Sequence, residues 1–181
     1  MHYELKRIYL VGYMGSGKSS ALKQLGKLLS WETYDLDHLF EEKYKISVQD
    51  FFHKYDEDAF RKLESQLLKE TVKYENTVIA TGGGTPCFYD NMEWMNENGT
   101  TVFLKVAPMT AVHRLMQSKK KRPLIEGKSE QEVIEFVNKH YGDRMKFYEQ
   151  AHITVKGESL DVEELVGRLQ DHKTTRLQVG G

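Results

Sequence analysis

A chain of 181 residues is long enough for one domain with a real core, or for one domain carrying a mobile insert. With 39% hydrophobic and 29% charged residues it reads as soluble and globular, and a formal net charge of −1 lends no support to a nucleic-acid partner. No apolar run approaches the roughly eighteen residues that argue for a membrane span. Met1-His2-Tyr3-Glu4-Leu5-Lys6 has no apolar core of a signal peptide, and the single Cys87 cannot close an internal disulfide. A cytoplasmic location is therefore expected, with a monomer as the expected state because no apolar stripe demands a partner. The seven histidines are scattered without ligand spacing and read as surface or half-buried residues.

Apolar runs alternate with helical patterns along the chain, which predicts βαβ units and a parallel sheet. Strands are predicted at 6–11, 32–35, 77–81, 100–106 and 152–155. Helices are predicted near 18–29, 37–45, 48–53, 57–74, 88–97, 108–117, 129–149 and 161–172, followed by a polar, frayed tail at 173–181. The first strand runs into Gly12-Tyr13-Met14-Gly15-Ser16-Gly17-Lys18-Ser19, which fits G-x-x-x-x-G-K-[ST] without a gap. Glycines let successive N–H groups converge on phosphate oxygens at the positive end of the next helix. Lys18 is placed to reach the outer phosphates and Ser19 to offer a hydroxyl to Mg²⁺. A nucleoside triphosphate is the ligand this strand, loop and helix imply.

Ligands of open α/β sheets bind beyond the strands' carboxyl ends, so the residues just after each strand matter most. After the second come Asp35-Leu36-Asp37, two carboxylates that suit either helix caps or, beside a phosphate loop, a metal partner (Asp35) and an acceptor-orienting group (Asp37). Phe60, Leu63, Leu67 and Leu68 follow helical spacing and read as core. Arg61 and Glu64, three apart, fit a surface pair or an arginine fork held for a ligand carboxylate. Gly82-Gly83-Gly84-Thr85-Pro86 after the third strand is either a tight turn or a backbone surface that a ligand crosses. Ser118–Lys128 is a basic run broken by Pro123 and Gly127, hence a solvated loop or a closing lid, with Arg122 the best charge-stabilising arginine in it. Arg144 and Tyr148 share a helical face, where arginine stacked on tyrosine is the ordinary outcome. Lys156–Leu160 is a turn at the same sheet edge, placed to pass an adenine ring.

Together these positions resemble the shikimate kinase family, from about residue 6 to about residue 170. The resemblance rests on Gly12–Ser19, Asp35-Leu36-Asp37, Phe60-Arg61-Lys62-Leu63-Glu64, Gly82-Gly83-Gly84-Thr85-Pro86, Arg122-Pro123-Leu124, and Arg144 with Tyr148 and Ala151. It implies an α/β P-loop fold of the nucleoside-monophosphate-kinase type. That fold has a five-stranded parallel sheet in the order 2-3-1-4-5 and a mobile lid near 118–128. The activity implied is transfer of the γ-phosphoryl of ATP to the 3-hydroxyl of shikimate on the route to aromatic amino acids. The residues implied for ATP are Gly15, Ser16, Gly17, Lys18, Ser19, Ser20, Arg114 and Arg122. Those for shikimate are Asp37, Arg61, Gly82, Gly83, Gly84 and Arg144, taken from the region 37–64 and beyond. Mg²⁺ falls to Ser19, with Asp35 acting through water, and the catalytic set is Asp37, Lys18 and Arg122. Three departures stand out: Asp56-Glu57 replaces the family's frequent Gly-Glu, Arg114 only approximates the arginine that flanks adenine, and Arg144-Met145-Lys146-Phe147 lacks the proline often found before Tyr148. A guanine-specific N-K-x-D is absent, since Asn138-Lys139-His140-Tyr141 lacks the aspartate. The remaining rivals are another small-metabolite kinase of the same fold, a nucleotide kinase, or a binding protein with a retired site.

Overall fold

The apolar runs assemble into one parallel sheet of five strands: β1 (Arg7–Val11), β2 (Glu32–Asp35), β3 (Thr77–Ala80), β4 (Thr100–Lys105) and β5 (Ile153–Lys156). Their spatial order is β2-β3-β1-β4-β5, as the family resemblance implies. The computed structural model describes residues 5–118 and 125–179. Central β1 pairs with β3 through Ile8↔Val78 and Leu10↔Ala80, and with β4 through Leu10↔Val102. All five β1 residues are buried, the consequence of helices covering both faces of a parallel sheet.

The pleat then sorts the side chains. Ile8 and Leu10 join Val78, Ala80, Val102 and Leu104 under α1 (Lys18–Leu29) and α8 (Val162–Val179), anchored by Leu22, Leu25, Leu165 and Leu169. Tyr9 and Val11 point the other way, with Ile79 and Phe103, into a larger aromatic core. That core is built by α2 (Leu36–Tyr44), α3 (Val48–Lys54), α4 (Glu57–Glu70), α5 (Asn91–Asn98), α6 (Pro108–Gln117) and α7 (Glu130–Tyr148). Each fully buried Leu or Phe contributes about 1.5–3 kcal/mol, so the sheet ends that carry the site stand on a stiff base.

Three predicted helices change length. The run predicted over 57–74 stops at Glu70 and closes in a 3₁₀ turn, Thr71–Lys73. Thr71 Oγ1 donates to Leu68 O (2.6 Å), diverting a carbonyl from the helical ladder. The helix predicted over 88–97 begins only at Asn91, because Pro86 starts a separate 3₁₀ turn (Thr85–Cys87) and Tyr89 takes a left-handed φ of 51°. At the other end, α8 continues through Val179, beyond the predicted stop at 172, since no breaker intervenes before Gly180-Gly181. Where the family often has glycine, Asp56 caps α4 by accepting from Ala59 N (2.8 Å) at a φ of −91°, so no glycine is required. Arg122, Pro123, Leu124 and most of the predicted lid lie outside the described residues. Among the described residues no helix is long and apolar enough to cross a membrane.

Candidate active site

The turn from β1 into α1 curls back on itself, with Ser16 N donating to Tyr13 O at 3.1 Å. Gly15 (φ 79°) and Gly17 (φ 96°) take left-handed conformations that let the loop curl, and Gly17 forms the N-cap. No side chain caps α1 and no acidic residue occupies its first turn, so that end suits an anion. Lys18 Nζ lies back on the loop, donating to Gly12 O (2.6 Å) and Tyr13 O (2.9 Å). A cleft of about 660 Å³ opens from here, walled by Met14 through Ala21, by Asp35 and Asp37, by Gly82 and Gly83, by Arg114, and by the turn Gly157–Leu160.

Gly15, Ser16, Gly17, Lys18, Ser19 and Ser20, all expected at the nucleotide, therefore fall on one wall. Arg114, in the last turn of α6, reaches across to it: Nη1 donates to Gly15 O at 2.8 Å. The turn at 157–160 faces the loop from β5, where the sequence predicted a passage for an adenine ring.

Opposite, Asp35 does what a cap does, accepting Asp37 N at 2.9 Å, yet its carboxyl group also faces the cleft. Capping and ligand contact are thus compatible at this residue. Among the described residues no group of three or more His, Cys, Asp or Glu forms a metal cage. The oxygen groups lining the cleft include the Ser19 hydroxyl, at the start of α1, and the Asp35 carboxylate on the facing wall. That set fits Mg²⁺, which keeps its waters and shares itself with substrate phosphates.

The glycine loop after β3 gathers Asp37, Arg61 and Arg144. A methyl group placed on Gly82 would stand 3.0 Å from Thr85 Oγ1, 3.1 Å from Glu64 Oε1 and 3.6 Å from Asp37 Oδ1. One on Gly83 would stand 3.5 Å from Arg144 Nη1, and one on Gly84 would collide with Arg61 Nη2 at 2.5 Å. Asp37, Arg144 and Arg61 are thereby set at three successive peptides. Both arginines approach this loop without lining the cleft itself.

Arg61 and Glu64 do pair, but not on the surface. Arg61 is 8% exposed and Glu64 2%. Nη1 donates to Glu64 Oε2 (2.9 Å), Nε and Nη2 donate to Glu57 Oε1 (3.1 Å each), and the ring of Phe88 lies 4.3 Å from Cζ. Thr85 Oγ1 completes the frame by donating to Glu64 Oε1 at 2.6 Å. Three of the five donors of the fork are thus engaged by two carboxylates, which fixes its plane.

Arg144 is half-buried on α7, one turn before Tyr148. Tyr148 stacks on Phe103 (5.2 Å between centroids) and donates to Gly83 O at 2.5 Å. Burial pushes the Tyr148 phenol up against a downward pull from the Arg144 guanidinium. Burial likewise raises Tyr13 to about 12 and Cys87 to about 11, again opposed by Arg144. One positive charge in poorly solvated surroundings reaches all three groups.

With this geometry in hand, comparison with known proteins is specific. The sequence model of the family described as "Shikimate kinase" matches residues 14–174. The chain belongs to the shikimate kinase family. A shikimate kinase of Phocaeicola vulgatus is 42% identical over 157 residues, covering 87% of this chain and 90% of that one. The crystal structure of the Bacteroides thetaiotaomicron shikimate kinase superposes with a TM-score of 0.84 at 41% identity, covering 91% of this chain and 96% of that one. A shikimate kinase from Acinetobacter baumannii, solved in complex with shikimate, gives 0.79 at 29% identity over 95% and 94% of the two chains. The sheet order and phosphate loop are accordingly those of a P-loop, nucleoside-monophosphate-kinase-like enzyme.

Seen as a shikimate kinase, the chain holds residues that sequence reading passed over. Glu57, Thr85 and Phe88 seat Arg61, and only the i, i+4 spacing of Glu57 and Arg61 offered a local sign. His140 is the other omission. Its Nδ1 meets Tyr13 Oη at 2.9 Å, and burial, then the Arg144 charge, push its pKa from 6.5 down to about 4; Arg61 acts the same way, while Asp143 and Glu57 oppose. A histidine whose pKa is lower in the folded state stabilises the fold above the unfolded value and loses that contribution as pH falls through the folded one. Between about pH 7 and about pH 4.5, the melting temperature of the wild type is expected to fall more steeply than that of His140→Gln. Parallel melting curves would show that the imidazole charges without penalty.

Proposed function

We propose that this chain transfers the γ-phosphoryl group of ATP to the 3-hydroxyl of shikimate, giving shikimate 3-phosphate and ADP in the biosynthesis of chorismate and the aromatic amino acids. The observation that carries the reading is the single cleft joining the phosphate loop to Asp37 and to the glycine loop at which Arg61 and Arg144 converge. Shikimate is a small carboxylate with three hydroxyls, so its site needs guanidinium forks at one end and hydrogen-bonding groups at the other. In this reading Arg61 and Arg144 take the carboxylate, and planar forks do so in a way that an ammonium does not reproduce. The peptides of Gly82, Gly83 and Gly84 support the ring. Asp37 accepts the hydrogen bond of the 3-hydroxyl and aims it at the γ-phosphorus; with a loose transition state, aiming matters more than early deprotonation.

Gly15, Ser16, Gly17, Ser19 and Ser20 present the phosphate side, and Arg114 lies along it. Lys18 leaves its loop carbonyls for the phosphates, and with Arg122 it offsets charge on the group in flight. Mg²⁺, bound with the nucleotide, supplies a further counter-charge; Ser19 would hold it directly and Asp35 through water. The segment near 118–128 acts as a lid that excludes water. Residues 1–172 form the single kinase domain, with 37–64 as its shikimate-binding region. The enzyme works as a cytoplasmic monomer.

An ADP-release assay tests this directly, run with shikimate, with gluconate and with nucleoside monophosphates, each with and without Mg²⁺. Turnover with shikimate alone, and only with the metal, is expected. Turnover with gluconate or a nucleotide in place of shikimate would overturn the assignment.

A further inference from the structure

Residue 13 of the phosphate loop has no assigned part in phosphate binding, yet its side chain is fully buried and points away from the cleft into the aromatic core. The ring of Tyr13 stacks on Tyr141 of α7, with centroids 4.8 Å apart and 18° between planes. Its hydroxyl lies 2.9 Å from Nδ1 of His140, and the two rings meet edge to face at 5.6 Å. His140 is one turn from Arg144 on the same face of α7. On the loop side, Met14 follows directly, and its N–H would stand 3.4 Å from a methyl group on Gly83, beside the 3.5 Å approach of Arg144 Nη1. Gly83 is thus enclosed by the residue after Tyr13 and by the arginine one turn beyond His140.

The pairing of a buried phenol with a half-buried imidazole is held neutral on both sides. Burial raises Tyr13 to about 12 and lowers His140 to about 4, so near neutral pH an uncharged hydrogen bond joins them. Such a bond adds no charge next to Arg144, which leaves that guanidinium's full charge for a ligand. Phe136 also packs against the imidazole, with ring centroids 4.8 Å apart. A phenylalanine at residue 13 would fill the same space and keep the stack on Tyr141, so packing alone does not account for the hydroxyl. An unpaired imidazole or phenol in the same place would carry a desolvation penalty, which makes the pair specific rather than incidental.

We propose that Tyr13 and His140 form a positioning pair that sets Arg144, through α7, at the correct reach from the phosphate loop, so that the Tyr13 hydroxyl governs shikimate affinity without touching shikimate. This rests on the shikimate kinase reading above. The shikimate carboxylate must be held at a fixed distance from the γ-phosphorus, and its two anchoring surfaces belong to elements far apart in the chain. A hydrogen bond spanning 127 residues of sequence gives that distance a mechanical definition. Neither residue is a catalytic residue in this account.

The test is steady-state kinetics with shikimate and ATP on wild type, Tyr13→Phe, His140→Ala, the double variant, and His140→Asn, whose amide oxygen can take the place of Nδ1 as acceptor. Tyr13→Phe is expected to raise the shikimate KM about three- to tenfold, the scale of one hydrogen bond, and to raise it more than the ATP KM. His140→Ala should do the same, the double variant should be no worse than either, and His140→Asn should recover most of the affinity. A shikimate KM that does not move, equal shifts in both KM values, multiplicative effects in the double variant, or no recovery by His140→Asn would each overturn the pair. Loss of stability without a KM split would make both residues packing alone and would overturn it as well. If the wild type fails to phosphorylate shikimate, the reading of function falls and the pair falls with it. Wild-type turnover beside an unmoved KM removes only the pair.

Discussion

Asp37→Asn is expected to lower kcat by about two to four orders of magnitude, the range for losing a positioned acid–base group, while both KM values change little. The substitution keeps the shape of the side chain and removes its charge. It leaves in place the backbone N–H through which residue 37 is held, because that bond goes to the carboxylate of Asp35. The start of α2 therefore survives, and so does the wall of the cleft. What is lost is a strong acceptor for the substrate hydroxyl, within reach of Gly82 and facing the phosphate loop. An amide oxygen still accepts a hydrogen bond, but it neither orients the hydroxyl as firmly nor takes up its proton as the bond to phosphorus forms. Steady-state kinetics with a parallel thermal melt decides the matter. A turnover within a few-fold of wild type at unchanged stability would remove Asp37 from the chemistry.

The outline of the fold was legible because each central strand is buried on both faces. Ile8 to Val11, Val78 to Ala80 and Val102 to Leu104 read as unbroken apolar runs, and no helix competes for segments that short between glycine turns. The phosphate loop was legible for a related reason: its glycines sit where backbone geometry leaves no other choice. The surroundings of Arg61 were not. A spacing of three between Arg61 and Glu64 fits an exposed pair as well as a buried one, and what decides between them is Phe88 and Thr85, more than twenty residues away. The segment 88–90, expected as helix, is part of the same problem, since the 3₁₀ turn just before it brings Thr85 under Glu64 and the ring of Phe88 against the guanidinium. Tyr13 and His140 lie beyond any local pattern, because helical periodicity marks Tyr141 as core and says nothing of a polar partner one residue earlier.

A buried arginine held by one buried and one exposed glutamate is a weak source of stability, because desolvating Arg61 and Glu64 offsets most of their attraction. Its use is geometric. The fork of Arg61 is pinned by Glu57, Glu64 and Phe88 before any ligand arrives, so little rotamer freedom remains to be lost on binding. Arg144 differs in being half-buried and in owing its place to the helix beneath it. The two guanidiniums thus define the carboxylate end of the site by separate means, one through side-chain ion pairs and one through the packing of α7.

Gly84→Ala should therefore imitate the loss of Arg61 without altering Arg61 itself. A Cβ on residue 84 would meet Nη2 at 2.5 Å and both Cζ and Nη1 at 2.8 Å. An unconstrained arginine would swing aside at little cost, but this one has Phe88 stacked on it and two carboxylates gripping its edges. The fork must tilt or leave, and a tilted fork no longer offers parallel N–H groups to a carboxylate. The shikimate KM is expected to rise about ten- to hundredfold, the scale of one charge-assisted bidentate contact, with the ATP KM within a few-fold of wild type. Arg61→Lys should give a similar rise, because the ammonium keeps the charge for Glu57 and Glu64 while losing the plane. Combining the two should add little, since each removes the same contact. If the double variant multiplies the two effects, or if Gly84→Ala weakens ATP as much as shikimate, then Arg61 does not bind the carboxylate through the face that Gly84 keeps open.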